Sequence, residues 1–386
     1  MGLPLTRLDW TAPVQQRIRC RRNRLIRYRA VSGTGWIGGM SHEIVSPRRC
    51  SSGDRVAVLS PSWSAPALFP AIHEQALRRI RDDLGLEPVE YPTTRRLASP
   101  EERAADIMAA FADPNIRAVL ATIGGDDQIT VLRHLDPEVV RADPKPFLGY
   151  SDNTNLLNWL WFHGVEGVHG GNTQVNLGPG PAPDAQHLTS LRTALFGGDV
   201  QLAPVARTRD MGLPWDDPRA LSDPPPDLPA EAWTWAGPER LVTGRTWGGC
   251  FEIVRWTLEV DRFVRPAGDY AGCVLMLEPT EEMPSPEEVF RGLRNLGERG
   301  ILEAASALLW GRPFASGPGH PRTEAEASAF RAEHRDQVLR VVESYHSDLV
   351  VALDVDFGHT SPQWLLPYGG RVTVDGTRGT ITAHFA

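Results

Sequence analysis

The stretch Pro146-Phe147-Leu148-Gly149-Tyr150-Ser151-Asp152-Asn153-Thr154 is an apolar, strand-like run that breaks at Gly149 and leaves a serine on the turn. Such a strand-to-helix turn lifts a hydroxyl clear of the backbone. It also sets free helix N-terminal N–H groups beside the hydroxyl, the local requirement of an acyl-transfer nucleophile.

Working outward, similar runs recur upstream. Arg55-Val56-Ala57-Val58-Leu59-Ser60 reads as a buried parallel strand whose end, Ser-Pro-Ser, faces a site. Helical spacing follows over 71–84, with Ile72, Ala76, Ile80 and Leu84 on one face. A second strand is expected at Pro88–Tyr91, and a helix at Pro100–Phe111 begun by the capping sequence Ser99-Pro100-Glu101-Glu102. The run Ala118–Ile123 then stops at Gly124-Gly125-Asp126-Asp127, and a helix is expected over Gln128–Leu135. This alternation predicts an α/β chain built on a doubly wound parallel sheet, which holds ligands at the carboxyl ends of its strands.

From Gly178 to Gly237 proline is frequent and periodicity weak, which reads as a linker or an ordered surface loop. A second unit is expected from about Leu241. It contains the Gly248-Gly249 turn, a helix 251–258, strands at 272–277 and 305–310, helices at 286–299 and 323–346, a strand at 349–353 and a terminal hairpin around Asp375-Gly376. The expected division is 46–205, a Pro-rich 206–240, and 241–386.

With 386 residues, 41% apolar and 23% charged, the chain has the composition of an ordinary globular protein, and its length suggests two domains. A net charge of −8 argues against a nucleic-acid polymer or an anionic membrane as partner. Cys20, Cys50, Cys250 and Cys273 show no C-x-x-C spacing, which makes a disulfide framework or a zinc site unexpected and fits a reducing cytoplasm. Residues 1–45 differ from the rest. Seven arginines between Arg17 and Arg29 read as a targeting peptide, a nucleic-acid tail, or a disordered extension ahead of a start at Met40; the third is favoured because no signal-peptide apolar core is present.

A serine nucleophile needs a base, a group that orients the base, and donors for the oxyanion. Gly125 and the N–H of Asp152 are candidate donors. Among eleven histidines, His163 reads as a helix C-cap, while His169 ends a strand and suits substrate contact. His359 emerges after an apolar strand in Asp356-Phe357-Gly358-His359-Thr360, a position compatible with either a base or an ordinary loop histidine. Glu278 ends Val274-Leu275-Met276-Leu277, where its carboxylate either meets an imidazole or is simply solvated.

At these residues the chain resembles the serine LD-carboxypeptidase family (S66 peptidases), which includes the microcin C self-immunity proteins. The resemblance rests on Thr122-Ile123-Gly124-Gly125, Pro144-Lys145-Pro146-Phe147-Leu148-Gly149-Tyr150-Ser151-Asp152, Trp247-Gly248-Gly249, Leu275-Met276-Leu277-Glu278 and Asp356-Phe357-Gly358-His359. It implies a flavodoxin-like N-terminal domain, a C-terminal α/β domain and a site between them. It further implies Ser151 as nucleophile, His359 as general acid/base, Glu278 as orienting carboxylate, and Gly125 and Asp152 as oxyanion donors. No metal or cofactor is implied, and a homodimer is.

Departures from the family pattern fall on Cys250, Pro279, Asp126-Asp127-Gln128 and His169-Gly170-Gly171-Asn172-Thr173. Gly124, Asp126, His169, Asn172 and Trp235 are expected to contact substrate. The expected activity is release of the terminal D-alanine of a murein tetrapeptide. One alternative is hydrolysis of an aminoacyl- or peptidyl-nucleotide of the microcin C type, with Trp233 and Trp235 as a stacking platform. Another is a binding protein on the same fold that has lost turnover.

Overall fold

The structure is a computed structural model that describes residues 43–385. The arginine-rich stretch and Cys20 lie outside the described residues. Five short strands alternate with helices at the start: β1 (Arg55–Leu59), β2 (Glu87–Glu90), β3 (Ile116–Ala121), β4 (Phe147–Gly149) and β5 (Gly167–His169). They pair in parallel, and β14 (Leu366–Tyr368) closes the β5 edge antiparallel, giving the order β14-β5-β4-β3-β1-β2. The crossovers are α1 (Pro70–Asp82), α2 (Pro100–Ala112), α3 (Pro137–Ala142) and α4 (Thr154–Phe162). Every residue of β3 and β4 is buried, as expected of strands covered on both faces. The capping box read from Ser99 is formed in α2: the Ser99 hydroxyl accepts from the Glu102 N–H, and the Glu102 side chain accepts from the Ser99 N–H.

The expected helix over Gln128–Leu135 is instead two 3-10 turns, Gln128–Thr130 and Leu132–His134. Its start is drawn elsewhere. The Gln128 N–H donates to the Asp152 carboxylate at 2.9 Å, and its side chain bridges Asn153 and the N–H of Leu156.

The second sheet is mixed and eight-stranded, in the order β6-β16-β15-β10-β11-β12-β13-β9. Its parallel centre is β10 (Leu241–Cys250), β11 (Val274–Glu278), β12 (Ala307–Gly311) and β13 (Val350–Val355). The expected terminal hairpin is β15 (Arg371–Asp375) and β16 (Thr380–Phe385). Helix α6 (Phe251–Val260) joins β10 to β11, and α7 (Pro286–Glu298) with α8 (Ile301–Ala304) joins β11 to β12. Helix α9 (Glu324–Tyr345) joins β12 to β13.

The Pro-rich region is more ordered than a linker. The 178–237 segment holds α5 (Ala185–Phe196), β6 (Gly198–Leu202), a small hairpin of β7 (Arg207–Thr208) and β8 (Leu228–Pro229), and β9 (Thr234–Ala236). Nor do the sheets divide at 205 and 241. Strand β6 pairs with β16 and β9 with β13, whereas β14 returns to the first sheet. The physical reason is edge satisfaction: unpaired N–H and C=O rows are covered by whichever segment passes, irrespective of its place in the chain.

The two sheets share one continuous apolar core. Polar bonds fasten them where β10 meets α4: Trp247 Nε1 donates to Asn158 Oδ1 at 2.9 Å, and the Cys250 N–H donates to Thr154 Oγ1 at 3.1 Å. This docking sets the carboxyl ends of β4, β10 and β11 against one another.

Candidate active site

Ser151 takes φ = +63°, a left-handed conformation uncommon for a residue with a Cβ and costly unless its surroundings enforce it. The surroundings are tight. A Cβ on Gly124 would lie 2.8 Å from both Cβ and Oγ of Ser151, and one on Gly149 would lie 2.8 Å from Cβ of Asn153. Glycine at both positions lets the neighbouring backbones close on the turn.

Asp152 is locked next to it. Its buried carboxylate accepts hydrogen bonds from Ser62 Oγ, from the Gln128 N–H, and from Asn155 Nδ2 at 2.8 Å. Burial nonetheless raises its pKa, with the Ser62 and Gln128 bonds opposing. The side chain thus holds in place the residue whose N–H is the candidate oxyanion donor. Gly125 is constrained in the same corner, since a Cβ there would strike the Ser62 hydroxyl.

From the second sheet comes a charged pair. Glu278 is fully buried at the end of β11, and its Oε2 lies 2.6 Å from His359 Nδ1. Gly358 (φ = +98°) permits that approach, because a Cβ there would overlap the same carboxylate. Burial pushes the Glu278 pKa up, but His359 and His169 outweigh it and leave the group below its ordinary value. His359 shows the complement. Burial lowers its pKa, yet Glu278 and Glu281 raise it further, to about 9. Its ring also packs edge-on against Tyr150, with centroids 5.0 Å apart.

The loop that carries His359 is pinned by Asp356, a fully buried residue. Asp356 accepts from Arg312 Nε at 2.8 Å, Trp233 Nε1 at 2.8 Å and the Val205 N–H at 3.0 Å. Arg312 is equally buried, so this is an interior ion pair with its carboxylate well satisfied.

Nε2, the nitrogen that would serve Ser151, is not hydrogen-bonded to it. Nε2 instead faces Glu281 Oε2 at 3.3 Å. The open cleft over Ser151 is lined by Gly125, Asp126 and Asp152 from the first sheet's side and by Cys250, Glu252, Ile253, Trp256, Thr280, Glu281 and Glu282 from β10, α6 and the loop after β11. Glu252, in the first turn of α6, accepts from the N–H and Oγ1 of Thr280; burial raises its pKa to about 7.

The structure gathers Ser151, Asp152, Gly124, Gly125 and Asp126 on one side of the cleft and brings Glu278 and His359 together on the other. Three expected substrate contacts need correction. His169 is fully buried behind that pair, 3.3 Å from Glu278 Oε1, because β14 covers the strand end that was read as open. Asn172 is buried beneath the turn, where its Oδ1 faces Asn153 Nδ2 at 3.4 Å. Trp235 lies on β9 against Gly379, and its neighbour Trp233 is consumed by Asp356; neither lines the cleft. Sequence reasoning overlooked Ser62, Glu252 and Trp256. For Ser62 the Ser-Pro-Ser strand end was a signal; the other two sit on a helix whose contact with the serine turn depends on docking the two sheets.

Among the described residues, no group of three or more His, Cys, Asp or Glu side chains is arranged to hold a metal ion, and no helix is long and apolar enough to cross a membrane.

The chain matches the family models of the LD-carboxypeptidase N-terminal domain over residues 56–170 and the LD-carboxypeptidase C-terminal domain over residues 243–374. A Streptomyces coelicolor protein named "Putative carboxypeptidase SCO6489" is 39% identical over 359 residues, covering 88% of this chain and 96% of its own. The murein tetrapeptide carboxypeptidase of Pseudomonas aeruginosa is 31% identical over 163 residues, 38% of this chain and 51% of its own. Among solved structures, an MccF-like protein from Streptococcus pneumoniae in complex with AMP has a TM-score of 0.74 at 23% identity, covering 85% of this chain and 98% of that one. That likeness carries the two-domain α/β fold.

Proposed function

The chain belongs to the LD-carboxypeptidase family, and from that premise we propose that it is a serine hydrolase that cleaves an amide bond through an acyl-enzyme, releasing the terminal D-alanine of a murein tetrapeptide. The observation that carries the reading is Ser151, left-handed at the end of β4, facing a cleft whose opposite wall is backed by the buried Glu278–His359 pair.

Ser151 Oγ attacks the scissile carbonyl and its proton passes to His359 Nε2. The N–H groups of Gly125 and Asp152 hold the oxyanion, and Glu278 stabilises the imidazolium at Nδ1. His359 then protonates the leaving amine, and a water deprotonated by the same nitrogen hydrolyses the ester. An imidazole already protonated cannot accept the serine proton, so a His359 pKa near 9 makes the free enzyme a poor base at neutral pH.

A second reading, hydrolysis of an aminoacyl-nucleotide, is favoured by Trp256, whose partly exposed indole lines the cleft and offers a stacking face. It is opposed by the cleft's charge. Asp126, Asp152, Glu252, Glu281 and Glu282 line it and no Lys or Arg does, a poor setting for a phosphate. The test is incubation of the protein with a murein tetrapeptide and with an aminoacyl-adenylate analogue, following products by mass spectrometry. Loss of 1 D-alanine from the tetrapeptide, absent in Ser151→Ala, is the expected result; cleavage of the nucleotide conjugate alone would favour the second reading.

A further inference from the structure

His359 is enclosed by acid. Glu278 at the end of β11 holds Nδ1, Glu281 in the following loop faces Nε2, and Glu252 on α6 adds a weaker negative field, while Tyr150 supplies a neutral ring. Nε2 itself is buried, has no hydrogen-bond partner and is directed toward the cleft wall. The two flanking carboxylates differ in kind. Glu278 is fully buried at a strand end, whereas the Glu281 side chain is 61% exposed, on the loop between β11 and α7.

We propose that Glu281 is a latch on the general base, holding His359 Nε2 away from proton transfer until a cationic group on the substrate draws the Glu281 carboxylate off. The proposal rests on the serine-hydrolase reading above and adds the substrate's charge to it.

Three observations support a cation as the releasing group. Five acidic side chains, Asp126, Asp152, Glu252, Glu281 and Glu282, line the cleft, and no Lys or Arg lines it to neutralise them. Glu282, next in the chain, has its pKa raised by burial and then by repulsion from Glu281 and Asp126, so the wall is electrostatically short of positive charge. Glu281 has His359 as its ion-pair partner, and a competing cation in the cleft offers it another. When it leaves, Nε2 is opened to Ser151 and the imidazole loses one of the charges that favour its protonated form. Recognition and activation are then the same event, and linkage makes them reciprocal: whatever weakens the latch also weakens discrimination for the cation. Glu281 acts through His359 and is a positioning residue.

The test compares wild type with Glu281→Gln in two measurements. The first is the rate of Ser151 labelling by a fluorophosphonate across pH 6–10, read by intact mass, which reports the neutral fraction of His359 without a substrate. The wild-type rate should rise with a midpoint near pH 9. The variant's midpoint should fall by about one unit, so that it labels about tenfold faster at pH 7. The second is kcat/KM for a murein tetrapeptide with its side-chain amine free and for the same peptide with that amine acetylated. Wild type should prefer the free amine by about tenfold or more, and Glu281→Gln should lose most of that preference. Superimposable pH profiles, or an equal preference in both proteins, would overturn the latch. Absence of any adduct on wild-type Ser151 would instead overturn the hydrolase reading beneath it.

Discussion

The two walls of the cleft are held by different forces. On the first sheet, Ser151 is fixed by packing: Gly124 and Gly149 admit no side chain, and Asp152 is tied by three neutral donors. On the second, His359 is fixed by charge, between Glu278 and Glu281 and above the buried Arg312–Asp356 pair. Packing is insensitive to pH, whereas ion pairs with an imidazole are not. The geometry of Ser151 should therefore be constant, and His359 should carry the protein's response to pH and ligands.

Several substitutions test that contrast, beginning with the largest effect. Ser151→Ala should reduce turnover at least about 10⁴-fold in a hydrolysis assay while leaving the thermal unfolding midpoint almost unchanged, since only one hydroxyl is removed. Gly124→Ala places a methyl 2.8 Å from the serine; kcat should drop about 100-fold at every pH, with a loss of about 1–3 kcal/mol in denaturant unfolding. A drop confined to one end of the pH range would show that the serine turn is not held by packing alone.

On the charged wall, Asp356→Ala strands Arg312 without its partner and should cost about 3–5 kcal/mol of stability in urea titration. His169→Gln removes the group facing Glu278 Oε1, and kcat should fall about tenfold with KM unchanged and an altered acid limb. The smallest effect is on stability itself. Because the folded-state pKa of His359 is raised, its contribution is fully present below the unfolded value of about 6.5 and is lost as pH rises through about 9. Unfolding free energy should decline gently over that window, and less so in His359→Gln.

The same contrast explains what was legible in the sequence. The serine turn was readable because the pattern that announces it is local, an apolar strand, a glycine, a serine, then a helix, although Gly124, Ser62 and Gln128 close on it from elsewhere in the chain. Glu278 and His359 were placed by the ends of apolar strands, and the helix start at Ser99 by its capping residues. Glu281 and Glu252 matter only because the strand order of the second sheet sets the ends of β10 and β11 near the loop that carries His359, and no period in the sequence encodes that. His169 was misread because a histidine at a strand end looks open until a strand nearly two hundred residues later, β14, covers it. Trp235 was misread because a proline-rich surroundings hid an edge strand.

The central claim is that Ser151 is the nucleophile, and peptide mapping after fluorophosphonate treatment at pH 9 addresses it directly. A single adduct on the peptide carrying Ser151, absent from Ser151→Ala and strongly slowed in His359→Ala, is the predicted result. An adduct on another residue, or labelling that persists at the wild-type rate in Ser151→Ala, would contradict the account.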